Sequence, residues 1–361
     1  MAPNNSANAK FSIDTLTGVY AAGWVYAESV ALENIEVWEG SERIASASIN
    51  VLRLDVERVH GSAARNSGFH IRYRPKRKGT SQLEFRARTK QGIEVILMNS
   101  TVQVPDVTAP LDLTDYMPLY GRVGEWKNGR NVREGYQRGG GLKFRHTADH
   151  VEADPDFQDA VNDVMGRCLV EEIRLKNLFL IFKFFLPKIP GDIIEFGSYR
   201  GGSAMFMARL AKRFKPGAMV YALDTFAGMP ESDESVDTHR LGCFGNVDLR
   251  EIEATRTLLG LDNLTFVEGM FQDTAPALVA GKRFALAHID CDNHGPVAFS
   301  YETVRSNMSP GGYLVFDDAT EASCIGATSA VEELVIRRDG LFSEQIFPHF
   351  VFRAPVTTSS A

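Results

Sequence analysis

Two hydrophobic periodicities divide the chain. From Phe11 to Val104 apolar and polar residues alternate in short runs broken by turn residues: Val19 to Tyr26, Ile35 to Trp38, Arg43 to Ile49, Phe69 to Tyr73, Leu83 to Thr89 and Ile93 to Leu97. A period of two with frequent turns predicts strands with one buried face, and about ninety residues of them predict an antiparallel β-sandwich. Between Pro105 and Asp156 the pattern gives way to polar, glycine-rich sequence, including Gly139, Gly140 and Gly141 in a row, which predicts a linker. From Phe157 onward helical spacing alternates with apolar runs, the signature of a doubly wound α/β sheet. Strands are expected at Asp192 to Glu195, Met219 to Leu223, Leu264 to Val267, Phe284 to Ile289 and Tyr313 to Phe316, with Gln345 to Arg353 as a closing edge strand. Helices are expected at Ser203 to Phe214, Asp248 to Leu259, Val297 to Asn307 and Ala327 to Arg338. The domains predicted are therefore a disordered start at 1–10, a β-sandwich at 11–104, a linker at 105–156 and an α/β domain at 157–361.

Composition narrows this picture. The chain has 361 residues, 44% hydrophobic, which excludes a disordered protein and provides for two cores. Its 39 Lys and Arg against 46 Asp and Glu give a net charge of −7, which argues against a general nucleic-acid binder. One stretch departs from that balance: residues 72–90 hold eight Lys and Arg against one Glu. If Phe69 to Arg74 and Leu83 to Arg88 pair as a hairpin, alternation puts His70, Arg72 and Arg74 with Arg86 and Arg88 on a basic outer face. That face is either a solvated surface or a dock for an acidic glycan, a phosphate-bearing lipid-linked sugar or an acidic domain. Cys168, Cys243, Cys291 and Cys324 show no paired spacing, which fits a reducing compartment. The start MAPNNSANAK lacks signal-peptide character, and the longest apolar run, Leu178 to Leu186, is short and carries Lys183. A soluble, cytoplasmic protein without a transmembrane segment is expected.

The candidate chemistry lies at the strand ends of the second domain. The first strand runs into Glu195-Phe196-Gly197-Ser198-Tyr199-Arg200-Gly201-Gly202-Ser203, where a helix begins. Glycines at a strand-to-helix turn let the backbone approach a ligand, and the helix N-terminus offers free N–H groups. Tyr199 occupies the position where a dinucleotide fingerprint needs Gly, so a nicotinamide oxidoreductase is disfavoured. Asp224, at the end of the second strand, is placed to accept hydrogen bonds from ribose hydroxyls. The fourth strand delivers Asp290 and Asp292 and the fifth Asp317 and Asp318. Neighbouring strand ends about 5 Å apart bring Asp290, Asp317 and Asp318 together. With no Lys or Arg nearby in the sequence, such carboxylates are either protonated or share a cation, and all-oxygen donors select Mg²⁺, with Mn²⁺ or Ca²⁺ as substitutes. Asp292 and His294 are candidate bases. Cys291, flanked by acids, reads as buried filler.

The run Pro190 to Gly197 with Arg200-Gly201-Gly202-Ser203 resembles the cofactor loop of the macrocin O-methyltransferase family of class I S-adenosylmethionine-dependent enzymes. Asp224-Thr225-Phe226-Ala227-Gly228-Met229-Pro230 is similar to that family's Asp-Ser-Phe-x-Gly-Leu-Pro, and Gly269-Met270-Phe271-Gln272-Asp273-Thr274 to its Gly-Trp-Phe-x-Asp-Thr. Asp290-Cys291-Asp292, Gly311-Gly312 and Asp317-Asp318 resemble its D-x-D, Gly-Gly and Asp-Asp-Tyr elements. The resemblance implies a Rossmann-like domain in which Glu195, Gly197, Ser198, Gly201, Ser203, Asp224, Gly269 and Met270 hold S-adenosylmethionine. It further implies that Asp290, Asp317 and Asp318 hold Mg²⁺, with Asp292 or His294 as base. Departures at Asn293-His294, Ala319 and Met270 border the acceptor and adenine pockets. In the first domain Gly23-Trp24-Val25, Arg53-Leu54-Asp55-Val56 and Asn66-Ser67-Gly68-Phe69 look like a module found beside bacterial glycan-assembly enzymes.

Together these readings give a Mg²⁺-dependent O-methyltransferase acting on a sugar hydroxyl in surface-polysaccharide or glycosylated natural-product biosynthesis. One rival is a catechol or polyphenol O-methyltransferase, and another is a glycan-binding protein with an inactive methyltransferase half. The resemblance also leaves room for a homo-oligomer, with Phe179, Phe182, Phe184 and Phe185 as core or interface.

Overall fold

Alternation in the first region resolves into strands β1 (Ala9–Leu16), β2 (Tyr20–Ala27), β3 (Leu32–Glu39), β4 (Glu42–Ser48), β5 (Gly68–Arg72), β6 (Gly79–Thr89) and β7 (Glu94–Val104), with helix α1 (Leu54–His60) between β4 and β5. This computed structural model describes residues 9–106 and 145–355. The strands form two antiparallel sheets, ordered β1-β2-β5 and β4-β3-β6-β7. Inward residues of both, among them Val25, Phe69 and Ile71 from one and Ile35, Val37 and Phe85 from the other, share one apolar core. Burying each such side chain contributes about 1.5–3 kcal/mol. Ala9 and Lys10 begin β1 rather than ending a disordered start, while residues 1–8 lie outside the described residues.

The expected basic hairpin does not form, because β5 and β6 belong to different sheets. Tyr73 explains the parting: its ring is buried against Phe85, and its hydroxyl donates to the carbonyls of Thr17 and Tyr20 at 2.7 and 3.1 Å, fastening the end of β5 to the β1–β2 turn. The basic stretch is also counter-charged. Arg86 pairs with Glu84 and Glu94, Arg88 with Glu94 and Glu36, and Lys76 with Glu42.

Helix α2 (Arg145–Ala153) and the first two residues of α3 (Pro155–Asp163) occupy the end of the stretch expected to be linker; residues 107–144 of that stretch lie outside the described residues. Val151, Phe157, Ala160, Val161 and Val164 are all buried, a helical spacing masked in the sequence by its polar surroundings. Of the described residues, 9–106 and 149–158 group into one unit, and 145–148 and 159–355 into a second.

The second unit carries strands β8 (Asp192–Phe196), β9 (Val220–Asp224), β10 (Leu264–Glu268), β11 (Phe284–Ile289), β12 (Met308–Phe316), β13 (Ser343–Gln345) and β14 (Phe350–Arg353). Helices α4 (Glu172–Leu180), α5 (Gly202–Phe214), α6 (Leu249–Leu258), α7 (Phe271–Val279), α8 (His294–Val304) and α9 (Ile325–Ala330) connect them. Strand order is β10-β9-β8-β11-β12-β14-β13, parallel from β10 through β12, with β14 antiparallel to β12. The inner strands β8, β11 and β12 are buried on both faces along most of their length, which is why they read as continuous apolar runs, whereas the edge strand β10 exposes Thr265 and Glu268. The expected edge strand at Gln345 to Arg353 is instead two strands, with β14 inside and β13 outermost; Pro348 between them has no N–H to donate to a ladder. Phe179 and Phe182 are core residues, whereas Phe184 is 39% exposed.

The order reverses direction at β8, between β9 on one side and β11 on the other. Crevices at such a switch point, outside the carboxyl ends of the strands, are where open α/β sheets bind ligands.

Candidate active site

The loop from β8 to α5 is shaped by what it must avoid. Gly197 has φ +86°, and a Cβ there would stand 1.7 Å from the carbonyl oxygen of Asp290, so only glycine lets β8 and β11 end this close together. Gly201, in the left-handed conformation, caps α5, and a Cβ on it would press into the Phe266 ring. Asp224 fastens this loop: Oδ2 accepts the N–H groups of Ser198 and Tyr199, both at 2.8 Å, and Oδ1 accepts that of Phe226 at 2.8 Å. Tyr199, Phe226 and Asp292 hold positive φ without being glycine, the backbone strain that accumulates at functional sites.

A cavity of about 250 Å³ opens over these strand ends. Of the residues expected to hold a cofactor, Gly197, Ser198, Ser203, Asp224 and Met270 line it, and Glu195, Gly201 and Gly269 do not. Among the described residues the Ser198 hydroxyl oxygen is buried without a hydrogen-bond partner, so the site has unmet polar capacity for a ligand. Glu195 stands furthest from that expectation. Its side chain is fully buried, directly across the β8–β11 ladder from His288, and its Oε1 lies 3.0 Å from His288 Nδ1. Strand pairing turns this carboxylate towards a histidine in which the sequence shows no motif, rather than towards the cavity.

At the other end of the cavity, carboxylate oxygens of Asp290, Asp317 and Asp318 lie within 4.8 Å of one another. Burial and the carboxylates of Asp317 and Asp318 push Asp290 well above the usual carboxylate range. Burial, Asp292 and Asp317 do the same to Asp318. Asp317 goes the other way: burial is outweighed by His288 and His349, and its carboxyl is held far below the usual range. His349 Nε2 lies 2.8 Å from Asp317 Oδ1, and His288 Nε2 lies 3.5 Å from the same oxygen. His288, despite complete burial, is raised to about 9 by Asp317 and Glu195.

Arg174 overturns the expectation that no cation stands near the trio. From α4 it donates to Asp317 and to Glu321, with its own side chain 7% exposed. A residue more than a hundred positions upstream gives no local signal of this pairing. Asp317 therefore has protein donors on both oxygens, whereas among the described residues no side-chain or backbone donor falls on the Asp290 carboxylate.

The two candidate bases separate. Asp292 lines the cavity and donates its backbone N–H to Asp318 Oδ2 at 2.9 Å. His294 does not line it: as the first residue of α8, it gives its N–H to Asp237 and places Nε2 3.4 Å from Glu333. The histidine beside Asp292 is His239, with Nε2 3.4 Å from Asp292 Oδ1, from a loop that carries no recognisable motif.

A parallel sheet ordered about a glycine-loop switch point, with an antiparallel strand inserted before the edge, defines a class I methyltransferase. Residues 144–335, more than half of the chain, match the macrocin-O-methyltransferase (TylF) family, and the chain belongs to it. It is thus an S-adenosylmethionine-dependent O-methyltransferase. The 8-demethyl-8-(2,3-dimethoxy-alpha-L-rhamnosyl)-tetracenomycin-C 4'-O-methyltransferase of Streptomyces olivaceus is 29% identical over 184 residues, 48% of this chain and 70% of that one. Mycinamicin III 3''-O-methyltransferase of Micromonospora griseorubida is 27% identical over 150 residues, 38% of this chain and 58% of that one. The solved structure of the O-methyltransferase NovP aligns over 51% of this chain and 79% of its own, with 24% identity and a TM-score of 0.43. Among the described residues no helix is long and apolar enough to cross a membrane.

Proposed function

We propose that this enzyme methylates a sugar hydroxyl with the help of a divalent cation, Mg²⁺ by preference. The observation that carries the reading is that the glycine cradle and the carboxylate trio line one cavity. The residues fit both groups. For S-adenosylmethionine there is the Ser198 hydroxyl, which has no partner among the described residues, and the N-terminus of α5, with Gly197, Asp224 and Met270 alongside in the cavity wall. For the cation there is an all-oxygen set in which Asp290 has no protein donor, and the mutual repulsion that pushes Asp290 and Asp318 upward is what a hard cation relieves. When bound, Mg²⁺ supplies Lewis acidity towards an acceptor hydroxyl, and S-adenosylmethionine supplies the methyl group.

The chain's own residues do the rest. Asp224 and Gly197 hold the loop in position, and the cavity walls orient the acceptor against the methyl donor. Asp292, which both lines the cavity and sits beside the trio, takes the acceptor proton. Arg174 and His349 keep Asp317 ionised and fixed. The sugar acceptor is supported by the activities of the relatives from Streptomyces olivaceus and Micromonospora griseorubida, and its setting is surface-polysaccharide or glycosylated natural-product assembly. Four free cysteines support a cytoplasmic setting. An aryl acceptor is the second reading, favoured by the edge-to-face pair Tyr199 and Phe244 in the cavity wall.

Calorimetric titration with S-adenosylmethionine and then Mg²⁺ tests the assignment. Wild type is expected to bind both, Asp224→Ala to lose the first and Asp317→Ala the second. An Asp290→Asn enzyme with full turnover overturns the metal role, and turnover of a catechol but of no glycoside overturns the sugar assignment.

A further inference from the structure

Outside the carboxylate trio, His239, Asp292 and Cys324 bring three different ligand atoms within 4.8 Å of one another. His239 Nε2 lies 3.4 Å from Asp292 Oδ1. Cys324 Sγ lies 3.7 Å from that nitrogen and 3.6 Å from that oxygen. The nitrogen-to-oxygen distance is wider than an ordinary hydrogen bond of about 2.7–3.2 Å. It matches the edge of a coordination polyhedron instead. A tetrahedral zinc ion, with bonds of about 2.3 Å to sulfur and about 2.0 Å to nitrogen and oxygen, requires about 3.3 Å between nitrogen and oxygen and about 3.5 Å from sulfur to either. All three edges agree with the observed triangle within about 0.2 Å, the tolerance expected of such sites.

The triangle is also braced. Thr238 donates its hydroxyl to the carbonyl of Ser323, tying the segment before His239 to the segment before Cys324. Asn293 Nδ2 donates to the His239 carbonyl at 2.8 Å, and the Asp292 N–H donates to Asp318 at 2.9 Å. Three separate loops are thereby stitched at the residues adjoining each ligand atom. Cys324 is 4% exposed, while the His239 and Asp292 side chains keep 25% and 18% of their surface, so an ion has a way in.

We propose that His239, Asp292 and Cys324 form a second cation site, selective for zinc-class ions, with one tetrahedral position left for water. Its donor set of thiolate, imidazole and carboxylate is what separates it from the all-oxygen trio beside it, since sulfur disfavours Mg²⁺. On binding, the Cys324 thiol releases its proton to solvent, His239 coordinates as the neutral imidazole through Nε2, and Asp292 coordinates as the carboxylate. Occupancy therefore removes the Asp292 lone pair from proton abstraction, and zinc inhibits methyl transfer. The inhibition, unlike the binding, rests on the reading of Asp292 as the base.

Cobalt(II) titration of the full chain reads the site directly. Wild type is expected to develop a thiolate-to-cobalt charge-transfer band with the visible bands of tetrahedral cobalt, and added Zn²⁺ to abolish both. Cys324→Ser is expected to lose the charge-transfer band and to bind zinc at least about tenfold more weakly, since even outer-shell partners are worth about 10- to 100-fold. Asp290→Asn, which alters the trio alone, is expected to retain the band. No band in wild type, or a band surviving in Cys324→Ser, overturns the proposal. In turnover assays with Mg²⁺, zinc is expected to inhibit wild type and to spare Cys324→Ser. Full turnover of zinc-loaded wild type leaves the site standing and overturns Asp292 as base.

Discussion

The two units treat carboxylates in opposite ways. In the first, ionised groups stay at the surface or are paired: Asp55 is held low, at about 2, by Arg53, and even the buried Glu36 accepts from Arg43 at 2.8 Å and from the Trp38 indole at 3.1 Å. In the second, Asp290, Asp292 and Asp318 are drawn together beneath a cavity, and burial pushes all three upward. The first unit thus places its charges for its own stability. The second maintains electrostatic strain that a ligand relieves, which is the arrangement expected where perturbed groups serve function.

The largest effect that sharpens this contrast is on turnover. Asp290→Asn is expected to lower kcat by about 10³-fold, as loss of several kcal/mol of Lewis-acid stabilisation implies. The same change is expected to raise the unfolding temperature of the ligand-free protein, because it removes one of the mutually repelling carboxylates. A fall in that temperature would break the comparison. Arg174→Ala removes the cation from buried Asp317 and is expected to destabilise the second unit by about 3–5 kcal/mol in urea unfolding.

A pH effect of about 3 kcal/mol comes next, each pH unit between a group's folded and unfolded pKa being worth about 1.4 kcal/mol. Burial raises Glu344 to about 7 from an ordinary 4.5, with Arg353 only partly opposing it. A folded value above the unfolded one means the native state holds the proton more tightly. This contribution is therefore complete below the ordinary value of 4.5 and is lost as pH rises to about 7. Glu344→Gln is expected to flatten the urea midpoint across that window and to be the more stable protein at about pH 8, above both values.

In the first unit, Glu36→Ala is expected to cost about 1.5–3 kcal/mol, the worth of hydrogen bonds to a charged group, by taking the acceptor from the half-buried Trp38 indole and from Arg43. That is the opposite sign to Asp290→Asn. The smallest effect belongs to Lys10→Met, which breaks the exposed pair with Glu28; no resolvable shift in the unfolding midpoint is expected.

Much of this molecule is readable from one-dimensional pattern. The inner parallel strands β8, β11 and β12 are legible because both their faces are buried, and the glycine loop because backbone approach at Gly197 and Gly201 admits only one residue type. Asp224, Asp290, Asp317 and Asp318 are legible as site candidates because strand ends in a doubly wound sheet converge on one edge. Helix α2 at Arg145–Ala153, inside the expected linker, escapes because its apolar spacing is diluted by polar neighbours. The β5–β6 hairpin is a false expectation because alternation assigns faces to a strand without naming its partner.

What the sequence determined by itself, then, is periodicity, turn chemistry and the side chains delivered to each strand end, all of which depend on near neighbours in the chain. Only the tertiary structure decided which distant groups meet those side chains: Arg174 and His349 on Asp317, His288 on Glu195, and His239 and Cys324 on Asp292. The reason is physical. Charge interactions depend on separation in space and on burial, and neither can be read from distance along the chain.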